Sequence, residues 1–197
     1  MLELYLFINP LGNKCYEAEA QMLQLQEAFS EKIKYKFIPL INMHTINQTT
    51  TCPAKIECQS KDIYQAALDF KAACFQGNKR GRNFLMNLQR SIFIDKRSYS
   101  TELVKEIAAL SNLDWEMFNE DRYSKLAMKS IKNDQILACE MNVSTPPTVI
   151  VYDYQTSKCE SCHAYSFEGL SAFNKISDIL LEQHQTPLKP YMKIKKG

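Results

Sequence analysis

The sequence predicts an α/β fold interrupted by an all-helical stretch. Three observations predict it. An apolar strand at the start runs at once into a helix and a second strand. The middle of the chain carries a run of helical patterns with little strand character. Near the far end the order returns to strand, turn, strand and helix. Such a segregation of strand and helix patterns defines the layers a domain can build.

Each element has its own justification. Leu2 to Ile8 reads as an apolar strand by composition. Cys15, Ala18, Met22, Leu25 and Phe29 then recur three and four apart, so one stripe of a helix faces a core. Ile33, Tyr35 and Phe37 alternate with lysines as in a half-buried strand that Pro39 ends. A strand-helix-strand unit of this kind implies a right-handed crossover between parallel strands. Residues 42–60 lack periodicity and are rich in Thr, Asn, Gln and Ser, so a long loop is expected there.

Five helices are expected next. Tyr64, Ala67, Leu68, Phe70 and Cys74 mark the first, with Gly77-Asn78 as its C-terminal signal. Phe84, Leu85, Leu88 and Ile92 mark the second. Ser100 or Thr101 can cap the third, which carries Leu103, Val104, Ile107 and Leu110. Asp114 starts a short fourth through Trp115 and Phe118, and a fifth runs from about Arg122 through Leu126, Ile131 and Ile136. Thr148–Tyr152 and Ala164–Phe167 then read as a hairpin, and Glu168-Gly169-Leu170 opens a last helix with Phe173, Ile176, Ile179 and Leu180 inward. The order is that of a thioredoxin fold split by an all-helical insertion. Residues 1–60 and 141–185 are expected to form the thioredoxin-like domain, 61–140 the insertion and 186–197 a flexible basic tail.

Two segments look like the halves of a thioredoxin-type site, a C-x-x-C at a helix N-terminus facing a proline loop. The first is Gly12-Asn13-Lys14-Cys15, the second Ser144-Thr145-Pro146-Pro147-Thr148. In an active enzyme the first cysteine lies at the helix start, where free N–H groups and the macrodipole lower its pKa. The second resolves the mixed disulfide. Gly12 has no side chain and cannot attack. Cys15 holds the resolving position and lies on the apolar stripe, so it reads as a core thiol, with monothiol chemistry as the alternative. The residue before a cis-proline offers an N–H and a C=O to an extended substrate. Here that residue would be Pro146, which has no N–H.

The chain resembles the DsbA-like branch of thioredoxin-fold proteins, and within it the SpxH (YjbH) group of Firmicute cytosolic proteins. The resemblance rests on Asn9-Pro10, on Gly77-Asn78-Lys79-Arg80-Gly81-Arg82-Asn83-Phe84-Leu85 and on Met141-Asn142-Val143-Ser144 leading into the proline loop. It covers most of the chain. It implies that Pro147 is the cis residue. It also implies a non-catalytic adapter that presents an Spx-like regulator to the ClpXP protease, working without a cofactor. The alternative is a cytosolic thiol-disulfide oxidoreductase using Cys15 or the Cys159–Cys162 pair. A glutathione-linked transferase would need a hydroxyl near the helix start, which Gly12 lacks.

Composition narrows the partners. The 197 residues are 45% hydrophobic with a net charge of +2, which gives no reason to expect nucleic-acid or membrane binding. No apolar stretch approaches the ~20 residues of a membrane span, and the N-terminus lacks signal-peptide character. A cytoplasmic protein is expected. The seven cysteines are odd in number, so reduced thiols are expected rather than a disulfide framework, with Cys74 and Cys139 buried in helices.

Cys159-Glu160-Ser161-Cys162-His163 matches the c-type haem attachment pattern, but a hairpin turn without export offers no haem pocket. Cys159 and Cys162 are also half of a zinc site, which Cys52 and Cys58 could complete only if the long loop came close. The alternative is a reduced or redox-sensitive pair. His44 and His184 stand in polar context, where solvent exposure is expected. Lys79, Arg80 and Arg82 form a basic cluster read as a turn between helices, solvated or docking an acidic partner. No phosphate-binding glycine loop is evident, nor a Ser–His–Asp or paired-carboxylate motif.

Overall fold

The computed structural model describes residues 2–29, 33–43, 45, 60–153 and 163–185. Four strands and seven helices follow along these residues: β1 (Leu2–Ile8), α1 (Asn13–Ala28), β2 (Ile33–Pro39), α2 (Ser60–Phe75), α3 (Asn78–Phe93), α4 (Thr101–Leu110), α5 (Trp115–Asp121), α6 (Lys125–Glu140), β3 (Thr148–Asp153), β4 (His163–Glu168) and α7 (Ala172–Gln185). The strands form one sheet in the order β2-β1-β3-β4. β1 pairs with β2 in parallel and with β3 antiparallel, and β4 closes the hairpin on β3. All five helices α2–α6 lie between β2 and β3 in sequence.

Strand periodicity decides which side chains meet which helices. Leu2, Leu4, Leu6 and Ile8 point to one face, where Cys15, Ala18, Met22 and Leu25 of α1 join Phe173 and Ile176 of α7. Phe7, Ile38 and Ile150 point to the other, against Ala138 of α6 and Val143. A separate cluster holds the helices together, with Phe84, Leu88, Leu103, Ile107 and Phe118 at its centre. The sheet therefore has helices on both faces, which is why β1 is buried nearly throughout.

Helix starts follow local chemistry. Ser100 Oγ accepts from Leu103 N at the start of α4, Asp114 Oδ1 from Met117 N at α5, and Ser124 Oγ from Ala127 N at α6. Gly77 adopts φ 125°, a conformation open to glycine, and hands the chain from α2 to α3. α2 and α3 approach so closely that a Cβ on Gly81 would lie 2.4 Å from Cys74 Sγ. At the edge of the sheet, Gln135 of α6 accepts from Ile41 N (2.8 Å) and donates to the Pro39 carbonyl (2.9 Å).

Several expectations need correction. The fifth inserted helix starts at Lys125 behind its Ser124 cap, not at Arg122, which terminates α5 with a fully buried side chain. Leu110, Leu126 and Ile136 are 65%, 59% and 47% exposed, and Cys139 is exposed rather than buried. A stripe broad enough to cover these positions is not needed, because α4 and α6 each pack on one side only. Lys79, Arg80 and Arg82 lie within α3 rather than in a turn, since Gln76 and Gly77 complete the reversal. Arg82 stacks its guanidinium 4.9 Å from the centre of the Tyr35 ring. The last helix begins at Ala172, and Glu168 belongs to β4.

Candidate functional site

β1 and β3 run antiparallel with Phe7 opposite Thr148, so the loop after β1 and the loop before β3 emerge at the same end of the sheet. This register brings residues 9–15 and 144–147 to one rim although more than a hundred residues separate them. The loop after β2 joins the same rim: Asn42 Nδ2 donates to the Ser144 carbonyl at 2.7 Å.

Asn9 organises the first loop. Its Oδ1 accepts from Leu11 N at 3.0 Å and its carbonyl accepts from Gly12 N at 3.0 Å, a turn of the kind Asn-Pro favours. Its own N–H donates to Cys15 Sγ at 3.2 Å. Gly12 then caps α1 in extended conformation, with no side-chain hydrogen bond to the first turn. An attacking thiol here would have stood before uncapped helix N–H groups. The glycine supplies none. A Cβ at Gly12 would lie 3.1 Å from Asn9 Cβ and 3.2 Å from Cys15 Sγ, so the cradle is tight around bare backbone.

Cys15 is buried in the core beneath the sheet. Burial pushes its thiol up to about 12; the Asn9 N–H pulls the other way, and Glu19 one turn later adds to the rise. Such a thiol is neither exposed nor ionised at neutral pH, so it is a poor nucleophile. Asn13 and Lys14 are exposed.

The second loop contains a cis peptide bond between Pro146 and Pro147. The Thr145 carbonyl accepts from the Thr148 hydroxyl at 2.5 Å, and the Pro147 carbonyl accepts from Gly169 N at 2.8 Å. Pro146, the residue before the cis-proline, offers no N–H to a visiting strand.

Cys52, Cys58, Cys159 and Cys162 lie outside the described residues, as do His44, the side chains of His163 and His184, and the tail 186–197. Among the described residues no cluster of His, Cys, Asp and Glu could hold a metal ion. No helix among them is long and apolar enough to cross a membrane.

Two residues at this rim escape a reading of motifs alone. Asn9 holds the turn and Cys15 together, and its signal was the Asn-Pro pair directly after a strand. Glu19 is fully buried on α1, and its signal was a carboxylate placed on the apolar stripe between Ala18 and Met22.

A thioredoxin family model matches residues 5–176. The ClpXP adapter protein SpxH of Bacillus subtilis (strain 168) is 30% identical over 212 residues, an alignment spanning 96% of this chain and 70% of that protein. The chain belongs to the thioredoxin family, in its SpxH branch. A second SpxH, from Bacillus licheniformis, is 26% identical, with 77% of this chain and 58% of that protein aligned. The chain is thus similar to only part of the length of these SpxH proteins. Among solved structures, the thiol-disulfide exchange protein alpha-DsbA2 of Wolbachia pipientis superimposes with a TM-score of 0.62 at 17% identity, covering 93% of this chain and 82% of that one. Pseudomonas aeruginosa DsbA2 gives 0.64 at 12% identity, covering 94% and 91%. At these identities the likeness is one of fold, a DsbA-like thioredoxin fold.

Proposed function

We propose that this chain is a non-catalytic adapter in the cytoplasm, which binds an Spx-like regulatory protein and promotes its degradation by the ClpXP protease. The observation that carries the reading is the glycine at position 12, tightly cradled by Asn9 and Cys15. Disulfide exchange needs an exposed thiolate at a helix start. This chain has hydrogen there, and its remaining thiol is buried and held protonated. Pro146 removes half of the backbone rung a thioredoxin-fold enzyme offers its substrate. Losing both functions while keeping the frame fits a protein whose task is to hold a partner. The names of the SpxH relatives point the same way.

The test is a reconstituted degradation assay with ClpXP and an Spx-like client. Client turnover is expected to accelerate several-fold on adding the chain, and to accelerate equally with Cys15→Ser. Turnover that ignores the chain would overturn the reading. So would insulin reduction by the wild type that disappears in Cys15→Ser.

A further inference from the structure

Glu19 of α1 and Gln89 of α3 are each 0% exposed. Gln89 Nε2 donates to Glu19 Oε1 at 2.8 Å. The second carboxyl oxygen, Glu19 Oε2, and the amide oxygen, Gln89 Oε1, are both buried with no hydrogen-bond partner. A carboxylate has only acceptors to offer, and an amide oxygen is an acceptor too. Exchanging the amide's oxygen and nitrogen leaves the same deficit, because the pair still lacks one donor. Buried acceptors without donors are costly, so an arrangement that pairs both oxygens is strongly favoured.

We propose that Glu19 is a carboxylic acid in the folded protein, and that its Oε2–H donates to Gln89 Oε1. The two side chains then close a ring of two hydrogen bonds that fastens α1 to α3. One proton repairs both orphaned atoms at once. On ionisation that proton passes to solvent, two acceptors are left facing each other, and one hydrogen bond of the ring survives. The ring joins the helix that begins at Gly12 to the helices lying between β2 and β3. Attachment of those helices to the frame is therefore sensitive to alkali.

The surroundings agree. Burial pushes the Glu19 carboxyl up to about 8, against the opposing pull of the Gln89 amide. Cys15, on the same helix, is a neutral thiol. Of the titratable groups lining that core from other elements, Cys74 of α2 and Tyr35 of β2 are also held neutral by burial. Lys36, Lys71 and Arg82 exert their charge on Cys74, and Arg82 on Tyr35 as well, not on Glu19. α3 contributes the uncharged Gln89, and α7 contributes Ala172, Phe173 and Ile176. Among the described residues nothing offsets the charge of a Glu19 anion except that one amide.

A group raised in the folded state stabilises the fold at low pH and loses that contribution as pH climbs toward its folded value. Between the ordinary glutamate value of about 4.3 and about 8, the folding equilibrium constant of the wild type should fall about tenfold per pH unit relative to Glu19→Gln. That variant keeps the ring as an amide pair and has no proton to lose. The measurement is chemical denaturation of the full chain across pH 5 to 8. Parallel curves for the two proteins would overturn the proposal. A second readout uses wild-type protein carrying 13C-carboxyl glutamate, which leaves Asp69 and Asp134 silent and does not depend on the variant folding. One glutamate carbon should titrate near pH 8, well apart from the rest. If every glutamate titrates near its ordinary value, the ring does not exist.

Discussion

Asp69 in α2 and Cys15 in α1 are both buried polar groups, but their surroundings differ in kind. Asp69 meets Arg122 in a two-pronged contact, Nε to Oδ1 and Nη2 to Oδ2, both at 2.8 Å. Tyr99 donates to Oδ2 at 2.6 Å and Gln65 to Oδ1 at 3.0 Å. Two helices and a loop converge on one carboxylate. Cys15 has one backbone N–H on its sulfur, apolar neighbours, and next to it the Glu19 carboxyl held neutral. The helices between β2 and β3 are thus assembled around compensated charge. Beneath the rim where exchange chemistry would take place, the buried Cys15 and Glu19 are neutral instead. The contrast teaches that a buried charge in this fold is paired, whereas a buried thiol is kept neutral.

Four experiments break or sharpen that contrast. The largest effect should come from Arg122→Ala, which strands the Asp69 charge in the interior and should cost ~3–5 kcal/mol of stability by urea denaturation. An Asp69→Leu/Arg122→Met double variant should recover much of it, because it removes both charges together. On the neutral side, alkylation by iodoacetamide followed by peptide mapping should find, among the described cysteines, Cys139 modified first and Cys15 last. A thiol pushed up to about 12 holds about three orders of magnitude less thiolate at neutral pH than a free cysteine. Rapid labelling of Cys15 in the folded protein would erase the distinction.

The third experiment tests the contact between the two regions' helices. Gly81→Ala drives a Cβ into Cys74 Sγ and to 3.0 Å from the Cys74 backbone. It should lower stability by ~1–3 kcal/mol, with part recovered by Cys74→Ala. The smallest change is expected for Ser100→Ala, which removes the cap of α4 without disturbing either buried centre and should cost about 1 kcal/mol. Thermal unfolding with the Arg122 variant as reference checks both.

Much of this fold is visible in the residue pattern. The three-and-four spacing from Cys15 to Leu25, the alternation of Ile33, Tyr35 and Phe37 with lysines, and the caps at Ser100 and Asp114 each report local physics, and local physics decides them. The vacancy at Gly12 and the missing N–H of Pro146 are equally plain in the sequence. What periodicity does not carry is partner choice across the fold. Arg122 looks like the start of a polar helix until Asp69, more than fifty residues earlier, is seen to hold it. Leu126 and Ile136 satisfy a helical repeat, yet they face outward because α6 packs through Ala127, Ile131 and Ala138. Asn9 reads as a simple turn residue, and its grip on Cys15 exists only after the turn has closed. Glu19 was the one discord in an apolar stripe, and its meaning depended on Gln89.

One side chain also limits how this sheet can grow. Just past the end of β2 the Leu40 N–H points inward to the Ile8 carbonyl. The Pro39 carbonyl and Ile41 N–H therefore face away from β1, where an incoming strand would reach for them. Gln135 occupies both with its own amide, imitating a peptide unit supplied from a helix. The ladder is stoppered at that end, and any extended visitor aligning with the edge of β2 must make do with the stretch guarded by Lys34 and Lys36.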